Sequence, residues 1–238
     1  MSNAADDLFV SAAGMAPAVN YADWTYSLFA PLVRGAVLEV GCGVGTFTRR
    51  MLGAPGLTSL TSIDILEAAV RQCRAAIQDP RLDLRHADVR EITGAFDAVV
   101  CMNVLEHIED DRAALSHMLN LLAPGGTLFL LVPAHAALYS AFDVEGGHFR
   151  RYNKPGMREL FQRAAPGGGL TMDQFYFNSI GALGYWAVYK LLRKAPRGGA
   201  DAEIGWFDRL VVPWQRRLEP RQVPFGISLV TVATRGAA

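Results

Sequence analysis

The chain has 238 residues, of which 51% are hydrophobic and 19% are charged, and its formal net charge is zero. This length and composition predict one large globular domain with a sizeable core. Residues 1–14 contain acidic but no basic side chains and thus show no basic-then-apolar secretory pattern, and the three cysteines lack metal-ligand or disulfide-framework spacing. We therefore expect a cytoplasmic protein with reduced thiols and no metal.

The zero net charge hides an asymmetry along the chain. Residues 1–145 carry 9 basic and 17 acidic side chains, a balance of −8, whereas residues 146–238 carry 14 and 6, a balance of +8. Opposite charges favour a cationic ligand for the first part and an anionic ligand or surface for the second. Charge complementarity between the two parts explains the asymmetry equally well.

Apolar residues at helical spacing predict an N-terminal helix over residues 21–33, after which strand and helix patterns alternate. The predicted strands lie at about 36–40, 58–64, 82–86, 96–102 and 126–133, and the predicted helices at about 45–52, 66–77 and 110–122. Strands separated by helices pair in parallel, with crossover helices on both faces. The pattern therefore predicts a doubly wound α/β sheet.

The second half continues with less regular elements. A proline and two glycines at 124–126 end the helix at 110–122, and the apolar run that follows is typical of a central strand. Beyond it we predict a loop at 134–154, a helix near 155–165 and strands at 170–177 and 226–235, with helical segments at 179–194 and 204–217 between these two strands. The apolar runs are too short to span a bilayer.

Residues 37–46, VLEVGCGVGT, have the pattern of a buried strand that enters a glycine-rich turn. Gly41, Gly43 and Gly45 allow a sharp bend and let a ligand approach the main chain. A dinucleotide fingerprint needs a small residue at position 46, where this chain has Thr46. Glu39 would repel a pyrophosphate and attract a cationic amino acid moiety. The turn therefore favours S-adenosylmethionine over NAD.

Two aspartates follow at strand ends. Asp64 ends the second predicted strand, about 20 residues after the turn, where a carboxylate meets two ribose hydroxyls in this architecture. Asp88 ends the third strand at the same edge, where it can accept a hydrogen bond from an adenine amino group. The alternative for Asp88 is an N-cap.

These features and two later motifs resemble the class I S-adenosylmethionine-dependent methyltransferase family. The later motifs are residues 96–108, FDAVVCMNVLEHI, and 122–126, LAPGG. All of them follow in the family's order over residues 36–133. The resemblance implies a seven-stranded sheet that is mostly parallel, with an antiparallel last strand, an N-terminal helix and a helical insertion before the last strand.

The resemblance also implies a cofactor site. It puts the methionine amino group near Gly41 and the carbonyl of Asn103, the ribose on Asp64 and the adenine beside Ile65. The implied cofactor-binding residues are Tyr21, Trp24, Glu39, Gly41, Gly43, Gly45, Asp64, Ile65, Asp88, Val89 and Asn103. Tyr21 or Trp24 would cover the cofactor from the N-terminal helix.

A second cluster of polar residues lies at 143–152, DVEGGHFRRY, in the loop after the fifth strand and hence at the cofactor side of the sheet. It offers a base and an anion clamp. We expect His148 and Tyr152 to be catalytic. The predicted acceptor-binding residues are His135, Tyr139, Arg150 and Arg151. Alternatively, the two arginines pair with Asp143 and Glu145 and only shape the loop.

His107 is the rival base, because it follows the fourth strand near the position of the transferred methyl in family members. The Leu-Glu-His segment occurs there regardless of substrate, which favours a packing or cofactor-side role. The aromatic stretch at 175–194 ends in basic residues and is either core or a lid over the acceptor. Peripheral membrane contact is a further possible role of its basic end.

The sequence thus predicts one methyltransferase domain over residues 1–238, with a cofactor core at 36–133 and acceptor-side segments at 134–154 and 179–220. The predicted reaction is O- or N-methylation of a small molecule that is anionic or lipid-linked. The absence of an Asn-Pro-Pro-Tyr motif disfavours a flipped nucleic-acid base. One alternative is a non-catalytic cofactor-binding or membrane-peripheral protein. The other is an NAD-dependent oxidoreductase, which Thr46 and Glu39 disfavour.

Overall fold

The computed structural model describes residues 18–191, 201–221 and 223–237, and one seven-stranded sheet forms its centre. The strands are β1 (Gly35–Val40), β2 (Leu57–Asp64), β3 (Leu82–His86), β4 (Phe96–Met102), β5 (Leu122–Pro133), β6 (Leu170–Phe177) and β7 (Ser228–Arg235). The helices are α1 (Val19–Phe29), α2 (Thr46–Leu52), α3 (Glu67–Ala76), α4 (Asp111–Asn120), α5 (Ala141–Glu145), α6 (Lys154–Ala164), α7 (Ser179–Tyr185), α8 (Asp201–Leu210) and α9 (Val212–Leu218).

The strand order is β3-β2-β1-β4-β5-β7-β6, and β7 runs antiparallel to both of its neighbours, β5 and β6. The other pairs are parallel. This arrangement confirms the predicted doubly wound sheet and its antiparallel last strand. Because β1 pairs with both β2 and β4, the winding reverses between β1 and β4, and the carboxyl ends of the strands leave a crevice there.

The core occupies both faces of the sheet, and β5 shows why. Leu128, Leu130 and Val132 are buried in the cluster on one face, whereas Phe129 and Leu131 are buried in the cluster on the other. Successive side chains of a strand point to opposite faces, so an unbroken apolar run needs helices on both sides. The central position predicted for this strand is confirmed, since β5 lies between β4 and β7.

The largest difference from the predicted elements in the core is the start of β5. The helix predicted to end at 122 ends at Asn120, and β5 begins at Leu122 instead of about 126. Phe96 pairs with Leu122, and the register shifts before Ala98 pairs with Thr127. Gly125, at φ +77°, lies inside this irregularity, so the glycines form a bulge within the strand.

The loop predicted at 134–154 contains a 3₁₀ turn at Ala136–Leu138 and the short helix α5. Ser140 caps α5, and Asp143 Oδ2 accepts a hydrogen bond from the Ser140 amide at 2.9 Å, which completes a capping box. A five-residue helix is too short to show a hydrophobic period. Its capping residues are the local signal that specifies it.

The predicted segment 179–194 forms α7 and a π-helical turn at Trp186–Leu191. Residues 192–194 of this segment lie outside the described residues. The segment predicted at 204–217 divides into α8 and α9. Pro213 near the start of α9 has no N–H to continue the hydrogen bonds of α8. Among the described helices, none has the length and hydropathy that crossing a bilayer requires.

Candidate active site

The glycine turn joins β1 to α2 at the carboxyl edge of the sheet. The amides of Gly41 and Cys42 both donate to the carbonyl of Ile63, at 2.9 Å each, and this fixes the turn against β2. Gly41 and Gly45 have φ of +84° and +83°. A Cβ on Gly41 would collide with Val104, so only glycine brings the backbone this close to the segment after β4.

Asp64 at the end of β2 is hydrogen-bonded to the turn. Its Oδ2 accepts from the Gly43 amide at 2.8 Å and its Oδ1 accepts from the Leu66 amide at 2.9 Å. Ile65 beside it is 63% exposed. Each carboxylate oxygen can accept more than one hydrogen bond, so both oxygens of Asp64 keep capacity for a ligand hydroxyl.

Glu39 lies beneath the turn and is fully buried. Its Oε2 accepts hydrogen bonds from Thr48 Oγ1 and Ser62 Oγ, at 2.6 Å each, which ties β1 to α2 and to β2. Burial raises the pKa of Glu39 to about 7. Near neutral pH this carboxyl therefore titrates inside the protein, next to the predicted position of a cationic group.

Asp88 forms the N-cap that the sequence offers as the alternative to adenine contact. It caps the 3₁₀ turn Val89–Glu91, accepts from the Arg90 amide at 2.8 Å and forms an ion pair with the Arg90 guanidinium at 2.6 Å. This guanidinium holds the pKa of Asp88 below its usual range. Val89 is buried. Adenine contact by Asp88 stays a prediction, and its N-cap role is observed.

Asn103 follows β4 with φ +51°, a left-handed conformation that non-glycine residues seldom adopt. Its amide donates to Leu131 O at 2.8 Å, and its side chain is exposed. Backbone strain of this kind persists where the surroundings impose it, often at ligand sites. The residue lies next to Val104, which touches the Gly41 backbone, so the two predicted methionine contacts are adjacent.

Tyr21 and Trp24 on α1 belong to an aromatic cluster with Phe177. The Trp24 ring lies 4.4 Å from the Phe177 ring and is buried, while the Tyr21 ring lies 5.9 Å from it. The Tyr21 amide donates to Asp208 Oδ1 at 2.8 Å, which anchors α1 to α8. These contacts favour a packing role for Trp24 over the predicted cover on the cofactor.

Asp143 on α5 is the centre of a buried network in the loop after β5. Its Oδ1 accepts from His148 Nδ1 at 2.9 Å and from Arg151 Nε at 2.7 Å, and its Oδ2 accepts from Tyr185 Oη at 2.8 Å. Burial alone would raise the pKa of Asp143, but these donors hold it well below its usual range. The side chain is therefore an anion that orients its donors.

The two arginines of this loop have internal partners. Arg151 is buried between Asp143 and the Tyr185 ring, at 4.5 Å from the ring centroid. Arg150 pairs with Asp111 Oδ2 at 2.8 Å, not with Glu145, and its side chain is 32% exposed. Arg151 thus pairs with Asp143, as the alternative interpretation of the loop expects, and its burial favours a structural role. Contact between Arg151 and an anionic acceptor stays a prediction.

Tyr152 is also held inside the fold. Its hydroxyl donates to Asp111 Oδ2 at 3.0 Å, and burial together with this carboxylate raises its pKa. A phenol that is harder to ionise is a poor base, so these contacts favour a structural role over the predicted catalytic one. Tyr139 donates its hydroxyl to the His148 carbonyl at 2.6 Å and supports the same loop.

His107 and His148 meet edge to face, with ring centroids 4.6 Å apart. Burial and the neighbouring His148 lower the pKa of His107 to about 4, so its ring is neutral. Its Nδ1 is buried without a hydrogen-bond partner. The structure therefore brings together the two histidines that the sequence offers as rival bases.

Glu106 completes this group, and sequence reasoning did not single it out. It is fully buried, neither carboxyl oxygen has a hydrogen-bond partner, and burial raises its pKa to about 8. The only local signal is its position beside His107 in the Leu-Glu-His segment. His135 after β5 has φ +62° and a buried, unpartnered Nε2, with its ring 4.5 Å from that of Tyr176.

These side chains lie along one edge of the sheet. The ends of β1, β2 and β4 carry the glycine turn, Asp64 and Asn103, and the segments after β4 and β5 carry the imidazoles. Such an edge can hold a nucleoside with a cationic tail on one side and present imidazoles to a second molecule on the other.

A family model described as a methyltransferase domain matches residues 18–165. A ubiquinone biosynthesis O-methyltransferase of Xanthomonas campestris pv. campestris is 39% identical over 121 residues, which cover 48% of this chain and 49% of that protein. The chain thus spans about half the length of the curated relatives it matches.

Solved structures share the fold. An S-adenosylmethionine dependent methyltransferase from Mesorhizobium loti has a TM-score of 0.60 at 18% identity and covers 90% of this chain and 98% of its own. The plantazolicin methyltransferase in complex with S-adenosylhomocysteine has a TM-score of 0.63 at 12% identity, and the match covers 98% of this chain and 94% of that methyltransferase.

The matched family region contains the glycine turn, Asp64, the Leu-Glu-His segment and the loop with Asp143. The sheet order and the antiparallel last strand agree with the same fold. The chain belongs to the class I S-adenosylmethionine-dependent methyltransferase family.

Proposed function

We propose that this enzyme methylates an oxygen or nitrogen atom of a small molecule, and that the acceptor loses its proton at the pair of His107 and His148. The observation that carries the proposal is the 2.9 Å contact between His148 Nδ1 and the buried anion Asp143. A carboxylate that receives Nδ1–H leaves Nε2 as the basic nitrogen and stabilises the imidazolium. The O-methyltransferase relative supports oxygen as the acceptor atom.

In this proposal the cofactor occupies the crevice beside the glycine turn. The methionine amino group contacts Gly41 and the Asn103 carbonyl, and the ribose hydroxyls bind Asp64. The adenine lies on exposed Ile65. Glu39 beneath the turn adds negative potential that favours the cationic methionine end. The remaining proposed contacts are Tyr21, Trp24, Gly43, Gly45, Asp88 and Val89.

Methyl transfer from a sulfonium is an in-line displacement, so the protein must align the acceptor atom with the methyl group and exclude water. The acceptor proton moves to an imidazole nitrogen, the new bond forms to the methyl carbon, and the electrons of the broken bond stay on sulfur. Correct alignment alone contributes several kcal/mol, up to about 7–11 in the best intramolecular cases. Proton removal by a positioned base adds about 10²–10⁴-fold.

The segment before β7 supports an apolar or lipid-linked acceptor. An apolar groove of about 430 Å³ lies beyond the carboxyl end of β6, and its lining includes Ile180, Leu210, Val211, Trp214, Leu218 and Val223. Trp206 and Trp214 are 61% and 66% exposed, and Arg216 and Arg217 are exposed near them. Exposed aromatic and basic side chains fit an anionic lipid surface, so we include peripheral membrane contact in the proposal.

The domain organisation follows from this assignment. The cofactor core comprises residues 36–133, and the acceptor side comprises 134–154 and 179–220, of which 192–200 lie outside the described residues. Residues 146–154 and 179–220 of the acceptor side lie in the part of the chain with the basic excess, whereas residues 134–145 and the core lie in the part with the acidic excess.

The test uses methyl-labelled S-adenosylmethionine and a panel of phenolic, hydroxylated and amine acceptors, half of them with isoprenoid or acyl tails. For the best acceptor, His148→Ala should lower kcat by about 10²–10⁴-fold, because proton removal slows. Binding of S-adenosylhomocysteine, measured by calorimetry, should not change. Full turnover by His148→Ala would remove this residue from catalysis.

Asp64→Ala tests the cofactor half of the proposal separately. Loss of two hydroxyl contacts to a carboxylate should weaken S-adenosylhomocysteine binding by about 1–3 kcal/mol in calorimetry. Asp83→Ala is the matched control, because Asp83 is exposed and pairs only with Arg85 among its observed contacts. Equal affinity of the Asp64 variant and the control would contradict the ribose assignment.

A further inference from the structure

The cluster of Glu106, His107 and His148 has ligand geometry that proton transfer leaves unexplained. One ligand atom from each of the three side chains lies within 4.8 Å of the other two. Ligand atoms around a tetrahedral Zn²⁺ with bonds of about 2.0–2.1 Å are roughly 3.3 Å apart. Rotation of the Glu106 carboxyl toward the imidazoles would shorten these separations and would break no hydrogen bond to another residue.

Three buried atoms of the cluster, Oε1 and Oε2 of Glu106 and Nδ1 of His107, have no hydrogen-bond partner. A buried polar atom without a partner costs about 1–3 kcal/mol, and a charged one costs more. Folding therefore gains nothing from placing a carboxyl and an imidazole nitrogen here. A cation would satisfy all three atoms and neutralise the carboxylate.

His148 is already oriented as a metal ligand. Its Nδ1 faces Asp143, an anion that accepts from every neighbour, so the proton resides on Nδ1 and the lone pair on Nε2. Metal-binding histidines usually donate their second nitrogen to such a carboxylate. Arg151 and Tyr185 hold Asp143 in place, which makes the outer shell rigid.

We propose that Glu106, His107 through Nδ1 and His148 through Nε2 form a binding site for a divalent transition-metal ion, with Zn²⁺ as the reference ion. Two imidazoles and one carboxylate suit zinc and its first-row neighbours, whereas Mg²⁺ and Ca²⁺ select oxygen ligands. Three protein ligands leave a fourth position for a water molecule or substrate, as in catalytic zinc sites.

The role of this ion rests on the proposed methylation of an acceptor at the histidine pair. A hydroxyl oxygen in the fourth position would bind the ion and release its proton to solvent, because a bound divalent cation lowers the hydroxyl pKa. The resulting anion attacks the methyl carbon, and the carbon–sulfur electron pair stays on sulfur. His148 then acts as a ligand, and no imidazole has to take the proton.

No spacing in the sequence predicts this site. Glu106 and His107 follow β4, His148 lies 41 residues after His107, and α4, β5 and α5 intervene. The hydrogen bond from the Phe149 amide to the Glu106 carbonyl, at 2.8 Å, joins the two segments. This backbone contact brings His148 to the Leu-Glu-His segment.

The test measures metal binding without cofactor or acceptor. Chelator-treated full-length protein is titrated with Co²⁺, followed by visible absorption, and with Zn²⁺ in calorimetry. We expect one equivalent to bind with a visible band typical of a nitrogen and oxygen ligand set. Glu106→Gln and His148→Gln should each weaken binding more than about 100-fold, since outer-shell changes alone cost about 10–100-fold.

His117→Gln is the matched control, because His117 lies outside the cluster and contacts Ile92 O at 2.9 Å. It should bind Co²⁺ as the wild type does. Glu106→Gln keeps the shape of the side chain and removes the charge, and circular dichroism of each metal-free variant verifies folding. Absence of a saturable equivalent in the wild type, or equal affinity in folded ligand variants and the control, would overturn the site.

Activity separates this inference from the proposed function. Zinc-dependent turnover that stops on chelation and returns with Zn²⁺ supports the metal site and the proposed methyl transfer, and it replaces the imidazole base with His148 as a ligand. Methyl transfer at full rate in excess chelator, with no bound ion, overturns the metal site and leaves the proposed function standing. Saturable metal binding without methyl transfer to any acceptor keeps the site and overturns the proposed function.

Discussion

The cofactor side and the acceptor side of the sheet edge satisfy their polar groups differently. At the glycine turn, Glu39 and Asp64 both have hydrogen-bond partners within the fold. Six buried side-chain atoms lack a partner in the described part of the chain, and four of them belong to Glu106, His107 and His135 on the acceptor side. Folding alone satisfies the first side, whereas the second keeps capacity for a ligand.

Of the variants considered, Asp143→Ala should cause the largest loss of stability, because it removes the centre of the buried network on the acceptor side. The change leaves the guanidinium of Arg151, whose side chain is 3% exposed, without its carboxylate. Removal of one partner from a buried ion pair costs about 3–5 kcal/mol. We expect this loss in the free energy of unfolding, measured by urea denaturation.

The matched control is Asp173→Ala, which removes an ion pair with Arg221 at the surface, where the two side chains are 56% and 69% exposed. Exposed pairs contribute about 0–1 kcal/mol, so this variant should unfold almost as the wild type does. If the two variants lose the same stability, Asp143 does not hold the acceptor side together.

Glu39→Gln tests the cofactor side through the pH dependence of the free energy of unfolding. Burial raises the pKa of Glu39 to about 7, so the folded state holds a proton that the unfolded state releases above pH 4.5. The stability that this proton provides is complete below pH 4.5 and is lost as the pH rises through 7. Between pH 5 and 8 the wild type should lose about 2–3 kcal/mol more than Glu39→Gln.

Urea denaturation at several pH values measures this difference. Glu67→Gln is the control, because Glu67 is exposed and pairs with Arg71 on α3, and it should keep the pH dependence of the wild type. Parallel pH profiles of wild type and Glu39→Gln would show that the buried carboxyl does not titrate between folded and unfolded states.

The sequence predicts the cofactor side well because its determinants are local. The glycines follow directly on a buried strand, Asp64 ends the next one, and the carboxyl ends of parallel strands meet at one edge. The order of motifs then identifies the family. The N-cap role of Asp88 could also be predicted from the sequence, because the amide that it accepts from lies only two residues later.

The acceptor side was predicted as a segment but not as a network. Arg150 pairs with Asp111, 39 residues earlier, and not with the nearby Glu145. His107 and His148 meet only after β5 and the capped helix α5 have turned the chain back. Such contacts depend on tertiary packing of an irregular loop, which neither hydrophobic period nor residue spacing encodes.

Arg150→Ala gives the smallest expected effect and tests what the acceptor side recognises. Its ion pair with Asp111 is partly exposed, and Asp111 keeps the hydrogen bond from Tyr152, so stability should change by less than about 1 kcal/mol. Arg150 is the more accessible of the two loop arginines. We expect KM for anionic acceptors to rise and kcat to stay unchanged, with neutral acceptors unaffected. If KM for anionic acceptors is the same in the variant and the wild type, Arg150 does not contact the acceptor and serves only its partners within the fold, Asp111 and the Glu109 carbonyl.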